Sequence, residues 1–152
     1  MGAGIGYYTG TLQTTAYLYN AGTWYGLSSH EWNQTTGDQW LEVVVEDPYL
    51  QFNAVQASTG TYPMTYLTPA VSSGGHATME IEVPYIGTGN TFSIALATQY
   101  YGNPFAEQAL SAGTNTITIP TAYVNTSFYL RFHSRKGSST NLVGRISSIK
   151  FV

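Results

Sequence analysis

The sequence predicts an all-β fold, a single antiparallel β-sandwich or jelly roll preceded by a Gly-rich arm. Three observations carry that expectation. Apolar and polar residues alternate with period two through most of the 152 residues, which places one face of each run in a core and the other in water. Clusters of Gly, Asn, Asp, Pro and Ser separate these runs at intervals of about 8–12 residues, the spacing of a sandwich or barrel. No segment carries a 3.6-residue apolar stripe or an internal repeat, which argues against helical bundles, propellers and solenoids.

Residues 1–10 open Met1-Gly2-Ala3-Gly4-Ile5-Gly6, and they read as an arm that lies on its own sandwich or on a neighbour. Ile5, Tyr7 and Tyr8 would be its apolar anchors. The sandwich domain then spans 11–152. Strands are expected at 11–19, 39–46, 49–57, more weakly at 62–68, and at 77–85, where Ala77, Met79, Ile81, Val83 and Tyr85 alternate with Thr78, Glu80 and Glu82. Further strands follow at 91–101 (Phe92, Ile94 and Leu96 inward), 114–119, 126–134 (Phe128, Leu130 and Phe132 inward) and 140–152 (Val143, Ile149 and Phe151 inward). The best helical segment is 105–110, a turn or two. Pro63 and Pro84 fall inside apparent strands and therefore belong at sheet edges or bulges, because proline cannot donate to a ladder.

Charge is scarce and unevenly placed. Charged residues make up 9% of the chain against about 25% in an ordinary domain, so hydroxyls and amides keep the surface wet. Aromatics reach 14%, with thirteen tyrosines. That combination excludes intrinsic disorder. No apolar run approaches the ~18 residues of a membrane-spanning helix, and the N-terminus shows none of the features of a secretory signal. A net charge of −3 and a pI of 5.4 argue against nucleic-acid binding. Without cysteine there is no disulfide, thiolate metal site or cysteine nucleophile. All five basic residues, Arg131, Arg135, Lys136, Arg145 and Lys150, follow all eight acids in the sequence. Either the C-terminal strands fold back and pair these charges internally, or they present a basic face to an acidic neighbour.

Motifs for chemistry are sparse. Gly75-His76-Ala77-Thr78-Met79-Glu80 has Thr78 where a cupin-type metal motif needs a second histidine, so His76 reads as a satisfied surface residue and no metal or cofactor is expected. No Gly-x-Ser-x-Gly elbow occurs. The carboxylate pairs Glu42/Glu46 and Glu80/Glu82 read as solvated strand faces rather than a glycosidase pair, and calcium could be held only through Glu46-Asp47 or Asp38. The chain is therefore read as no enzyme. Aromatics are the remaining candidates: Trp24, Tyr25 and Trp32 sit in a stretch rich in Ser, Asn and Gln, where ring faces could stack on sugars while amides and hydroxyls hydrogen-bond them. Trp40, at the head of a strand, is expected in the core or at its boundary.

The Gly-rich arm Gly2–Gly10, the alternating strands, the low-charge Thr/Tyr/Asn surface and the closing segment Val143-Gly144-Arg145-Ile146-Ser147-Ser148-Ile149-Lys150-Phe151-Val152 together resemble the jelly-roll proteins of virus surfaces. These are phage capsid decoration (cement) proteins, head fibres and receptor-binding tips. The resemblance implies a non-enzymatic virion structural protein, assembled in the host cytoplasm and carried on the particle. It would be a homo-oligomer, such as a trimer, contacting a major capsid protein through the arm and the basic C-terminal residues. The alternative is a carbohydrate-binding module or receptor-binding domain that uses Trp24, Tyr25 and Trp32 on a cell-surface glycan.

Overall fold

The structure, a computed structural model, describes residues 16–34, 39–99 and 102–152; the expected arm, with Ile5, Tyr7 and Tyr8, and Asp38 lie outside them. The described chain is all-β: β1 Ala16–Asn20, β2 Thr23–Trp24, β3 Glu31–Asn33, β4 Trp40–Val45, β5 Leu50–Val55, β6 Met64–Ser72, β7 Thr78–Val83, β8 Tyr85–Ile86, β9 Ser93–Ala97, β10 Ala106–Ala109, β11 Gly113–Thr118, β12 Ser127–His133, β13 Leu142–Ile146 and β14 Ser148–Phe151, with a 3₁₀ turn at Thr121–Tyr123. They pair antiparallel in three sheets, β11-β7-β14-β1-β2, β10-β9-β12-β6-β3 and β4-β5-β13-β8. The adjacent pairs β7/β14 and β8/β13 carry the first sheet over into the third, so these two form one bent layer. The crossing points are Pro84 and Ser147, whose amide donates to the Glu82 carbonyl (2.9 Å).

All three sheets turn their alternate apolar residues into one cluster. Met79, Ile81, Val83 and Ile149 come from the first sheet, Ile94, Leu96, Phe128, Leu130 and Phe132 from the second, and Leu41, Leu50, Phe52, Val143 and Ile146 from the third. Phe52 and Phe132 meet at 4.8 Å between ring centres, with Phe92 at 5.1 Å from Phe52 and Trp32 edge-on to Phe52 at 5.6 Å. Offset and edge-to-face rings of this kind each contribute about 0.5–1.5 kcal/mol beyond their buried area.

Four expectations need correction. The segment 140–152 is not one strand but two in different sheets: Val143 is inward as expected, the register shift between Leu142 and Gly144 moves the inward position to even-numbered Ile146, and past Ser147 it returns to odd numbers at Ile149 and Phe151. The helical candidate 105–110 is the edge strand β10, paired with β9 from Ala106↔Leu96 to Ala109↔Ser93; an open ladder edge overrides a weak helix propensity. Ala77 is exposed, and Tyr85, past the Pro84 crossing, turns outward at 38% exposure. Pro63 and Pro84 stand outside the strands, whereas Pro69 lies within β6. Phe128 pairs with Val71 and Leu130 with Leu67, so Pro69 occupies a bulge in which β12 asks for no donor.

Candidate functional site

The first hairpin builds the site. Tyr17 faces Lys150 and Tyr19 faces Ile149 across the ladder to β14, so Leu18 is an extra residue, a bulge. It lets Leu18 and Tyr19 both enter the core (4% and 0% exposed) while Tyr17 stays outside at 40%. Bulges re-aim side chains in this way. The chain then reverses through Ala21-Gly22, where both residues have positive φ (47° and 100°), the backbone form that matches strand twist in a two-residue hairpin. A Cβ on Gly22 would collide with the Asp47 carboxylate, so glycine is required there. Leaving β2, the amide of Tyr25 donates to the Leu18 carbonyl (2.9 Å) and sets the Tyr25 ring 6.2 Å from that of Tyr17.

These two exposed tyrosines are among the residues that line an open groove of about 680 Å³. The rest of its lining includes Leu18, Leu27, Val71, Phe151, Ser72, Ser73, His76 and Ser127, contributed by the first two sheets, the loop after β2 and the turn after β6. Ser73 Oγ donates to the Val124 carbonyl (2.8 Å), which fixes that turn. The Ser127 hydroxyl and the His76 ring make no side-chain hydrogen bond to another described residue, and each can serve a ligand. His76 is 6% exposed, so it is not the surface histidine expected from the sequence but part of the groove wall. Among the described residues, no Asp or Glu lines the groove. Lys150 Nζ lies 5.7 Å from the centre of the Tyr17 ring and 3.6 Å from Glu80.

The residues singled out from the sequence divide sharply. Tyr25 lies at the groove, exposed at 45%. Trp24 is half-buried: it packs on Tyr19 (4.8 Å) and His30 (4.5 Å) and donates to Glu46 Oε1 (3.2 Å), which His30 also meets at 2.6 Å. Trp32 is wedged against Phe52 and Phe132. The two tryptophans thus brace the hairpin from beneath. Trp40 stands at the boundary, half-buried. Tyr17, His76 and Ser127 were missed. Tyr17 and Tyr19 share a parity that reads as one face, and only the bulge separates them.

The basic residues are largely absorbed within the fold. Arg131 Nη1 donates to Tyr66 Oη (3.1 Å), Arg145 Nε to Gln51 Oε1 (3.0 Å), and Lys150 pairs with Glu80. Lys136, expected at an interface, is instead 3% exposed, with Nζ donating to the carbonyls of Ser138 (2.7 Å) and Thr140 (2.8 Å). Its short loop supplies ligands for one buried ammonium, which removes it from any contact surface. Arg135 alone among the five is exposed. Glu80 and Glu82 are engaged by Lys150 and by the Thr114 hydroxyl (2.7 Å). Among the described residues no cluster of three or more His, Asp or Glu could hold a metal ion, and no helix is long and apolar enough to cross a membrane.

Burial, then the nearby Arg131 guanidinium, hold His133 below its ordinary pKa of 6.5, with Glu107 opposing them. The unfolded chain therefore binds more protons than the folded one between that depressed value and 6.5. Stability contributed by neutral His133 is complete above this window and is lost as pH falls through it. Urea melts of wild type and His133→Gln should accordingly diverge in pH dependence below about pH 6.5, with the variant flatter; parallel curves would refute the assignment.

No protein-family model matches this chain, and no curated protein matches it. A solved structure described as a low affinity xylan binding module, CBM86, from the gut symbiont Roseburia intestinalis aligns with 82% of this chain and 96% of its own, at 13% identity and a TM-score of 0.49. A likeness at that level carries no weight for function.

Proposed function

We propose that this chain is a non-catalytic carbohydrate-binding domain that takes a neutral saccharide in the groove beside Tyr17 and Tyr25. The observation that carries the reading is the pairing of two exposed phenol rings, 6.2 Å apart, with a groove whose polar lining is serine hydroxyls and an imidazole rather than carboxylates. Pyranose rings present C–H faces that stack on aromatic rings, and hydroxyls that exchange hydrogen bonds with Ser127 and His76. Among the described residues neither a carboxylate pair nor a serine hydrogen-bonded to His76 stands in the groove, so these residues are suited to recognising a sugar rather than to cleaving one.

Calorimetry or affinity electrophoresis against a panel of neutral oligosaccharides tests this reading. At least one should bind, and Tyr25→Ala should weaken it about tenfold, roughly 1.4 kcal/mol. Tyr17→Ala should act in the same direction. Both side chains are exposed, so their removal should change stability by no more than about 0.5 kcal/mol. A blank panel, or full affinity in the folded Tyr17→Ala/Tyr25→Ala double variant, overturns the reading.

A further inference from the structure

A second cluster, on the outer face of the third sheet, is built around Arg145. The ladder registers align Tyr85, Arg145, Gln51 and Val45 in one row across β8, β13, β5 and β4. Tyr49 and Asn53 flank Gln51 at two residues either side, so strand periodicity puts them on the same face. The Arg145 guanidinium lies 4.9 Å from the centre of the Tyr49 ring and 5.3 Å from that of Tyr85. Its Nε donates to Gln51 Oε1 (3.0 Å), while Gln51 Nε2 donates to Asn53 Oδ1 (3.3 Å). A relay of two amides and two rings therefore fixes the guanidinium plane. Its two Nη groups make no hydrogen bond, and the residue no ion pair, with any described residue.

A guanidinium held rigid by its Nε, with its outer nitrogens open, is prepared for a planar oxyanion, because the two N–H bonds match the two oxygens of a carboxylate. The flanking rings exclude water from one such contact and strengthen it, and Tyr85, 38% exposed, offers surface on which the body of the ligand can lie. We propose that Tyr49, Tyr85 and Arg145 form a subsite for a carboxylate carried on a sugar ring, as in a uronic acid. It is separate from the neutral groove and does not depend on it. The sugar rather than a peptide is favoured because the face offers one fixed cation with amides and phenols around it, the exposed Glu42 carboxylate across from Asn53, and no run of basic residues to match an acidic peptide.

The test uses the full chain and oligogalacturonate, with its methyl ester as the neutral counterpart and a Glu-rich peptide as the competing class, followed by calorimetry and amide shift mapping. Oligogalacturonate should bind and shift residues of β5, β8 and β13, and the methyl ester should bind about tenfold more weakly. Binding should fade as salt rises to the order of 0.5 M, where exposed charges are screened. Arg145→Gln should abolish the difference between acid and ester, and Arg145→Lys should restore only part of it, since lysine lacks the planar fork. Tyr25→Ala should leave it intact, which separates this subsite from the groove. Equal binding of acid and ester, an unchanged preference in a folded Arg145→Gln or Tyr85→Ala variant, or equal affinity for the Glu-rich peptide overturns the proposal.

Discussion

Phe132→Ala is expected to lower the unfolding free energy by about 3–5 kcal/mol, the cost of emptying a large aromatic site in a packed core. The ring is fully buried and touches partners from both layers: Phe52 at 4.8 Å, Phe92 at 6.3 Å and Trp32 at 5.9 Å. Its removal leaves a hole between the second and third sheets that rigid strands on either side cannot close. A domain has only about 5–15 kcal/mol in total, so the variant should melt well below wild type and lose near-ultraviolet dichroism from Trp32. Phe132→Leu, which keeps most of the volume, should cost less than half as much. A urea midpoint for Phe132→Ala close to wild type would mean that the layers do not meet at this ring.

Lys136→Met should cost about 2–3 kcal/mol, although it exchanges a charged residue for an apolar one of similar length. In many surface contexts that change is nearly neutral. Here the ammonium is buried and holds the carbonyls of Ser138 and Thr140. Thr140 O keeps a second donor in Asn90 Nδ2 (2.8 Å), so the orphaned acceptor is Ser138 O. The loop also closes on Gly137, whose amide donates to Asn90 Oδ1 (3.0 Å), and where a Cβ would strike the Gly89 carbonyl. Hydrogen exchange at the amides of residues 137 and 140 should quicken in the variant before global unfolding. Wild-type stability together with unchanged exchange would show that the clamp is dispensable.

Alternation made most of this fold readable: the inward sets Met79/Ile81/Val83, Phe92/Ile94/Leu96 and Phe128/Leu130/Phe132 are all buried as the pattern requires. What alternation cannot encode is where a strand changes sheet or gains a residue. Ser147 and the bulge at Leu18 each shift parity by one, and parity is all the pattern carries. The same limit hid half of the groove. Tyr25 could be chosen because it follows a turn in a polar stretch, but Tyr17 reads as the partner of buried Tyr19. Trp24 and Trp32 stand among polar residues and their burial goes unannounced, because β2 and β3 are too short to show a period. The partners of Lys136 and Arg145 are set by loop closure and ladder register, which no local window of sequence records.

The placement of β14 has a consequence for biosynthesis. This strand, at 148–151, lies between β7 and β1, so two segments made earlier meet only through one made later than either. Until then β1 and β7 display unsatisfied ladder edges with few charges to guard them. A nascent or prematurely terminated chain ending before Ser148 should be the form that chaperones retain and that precipitates when they are absent.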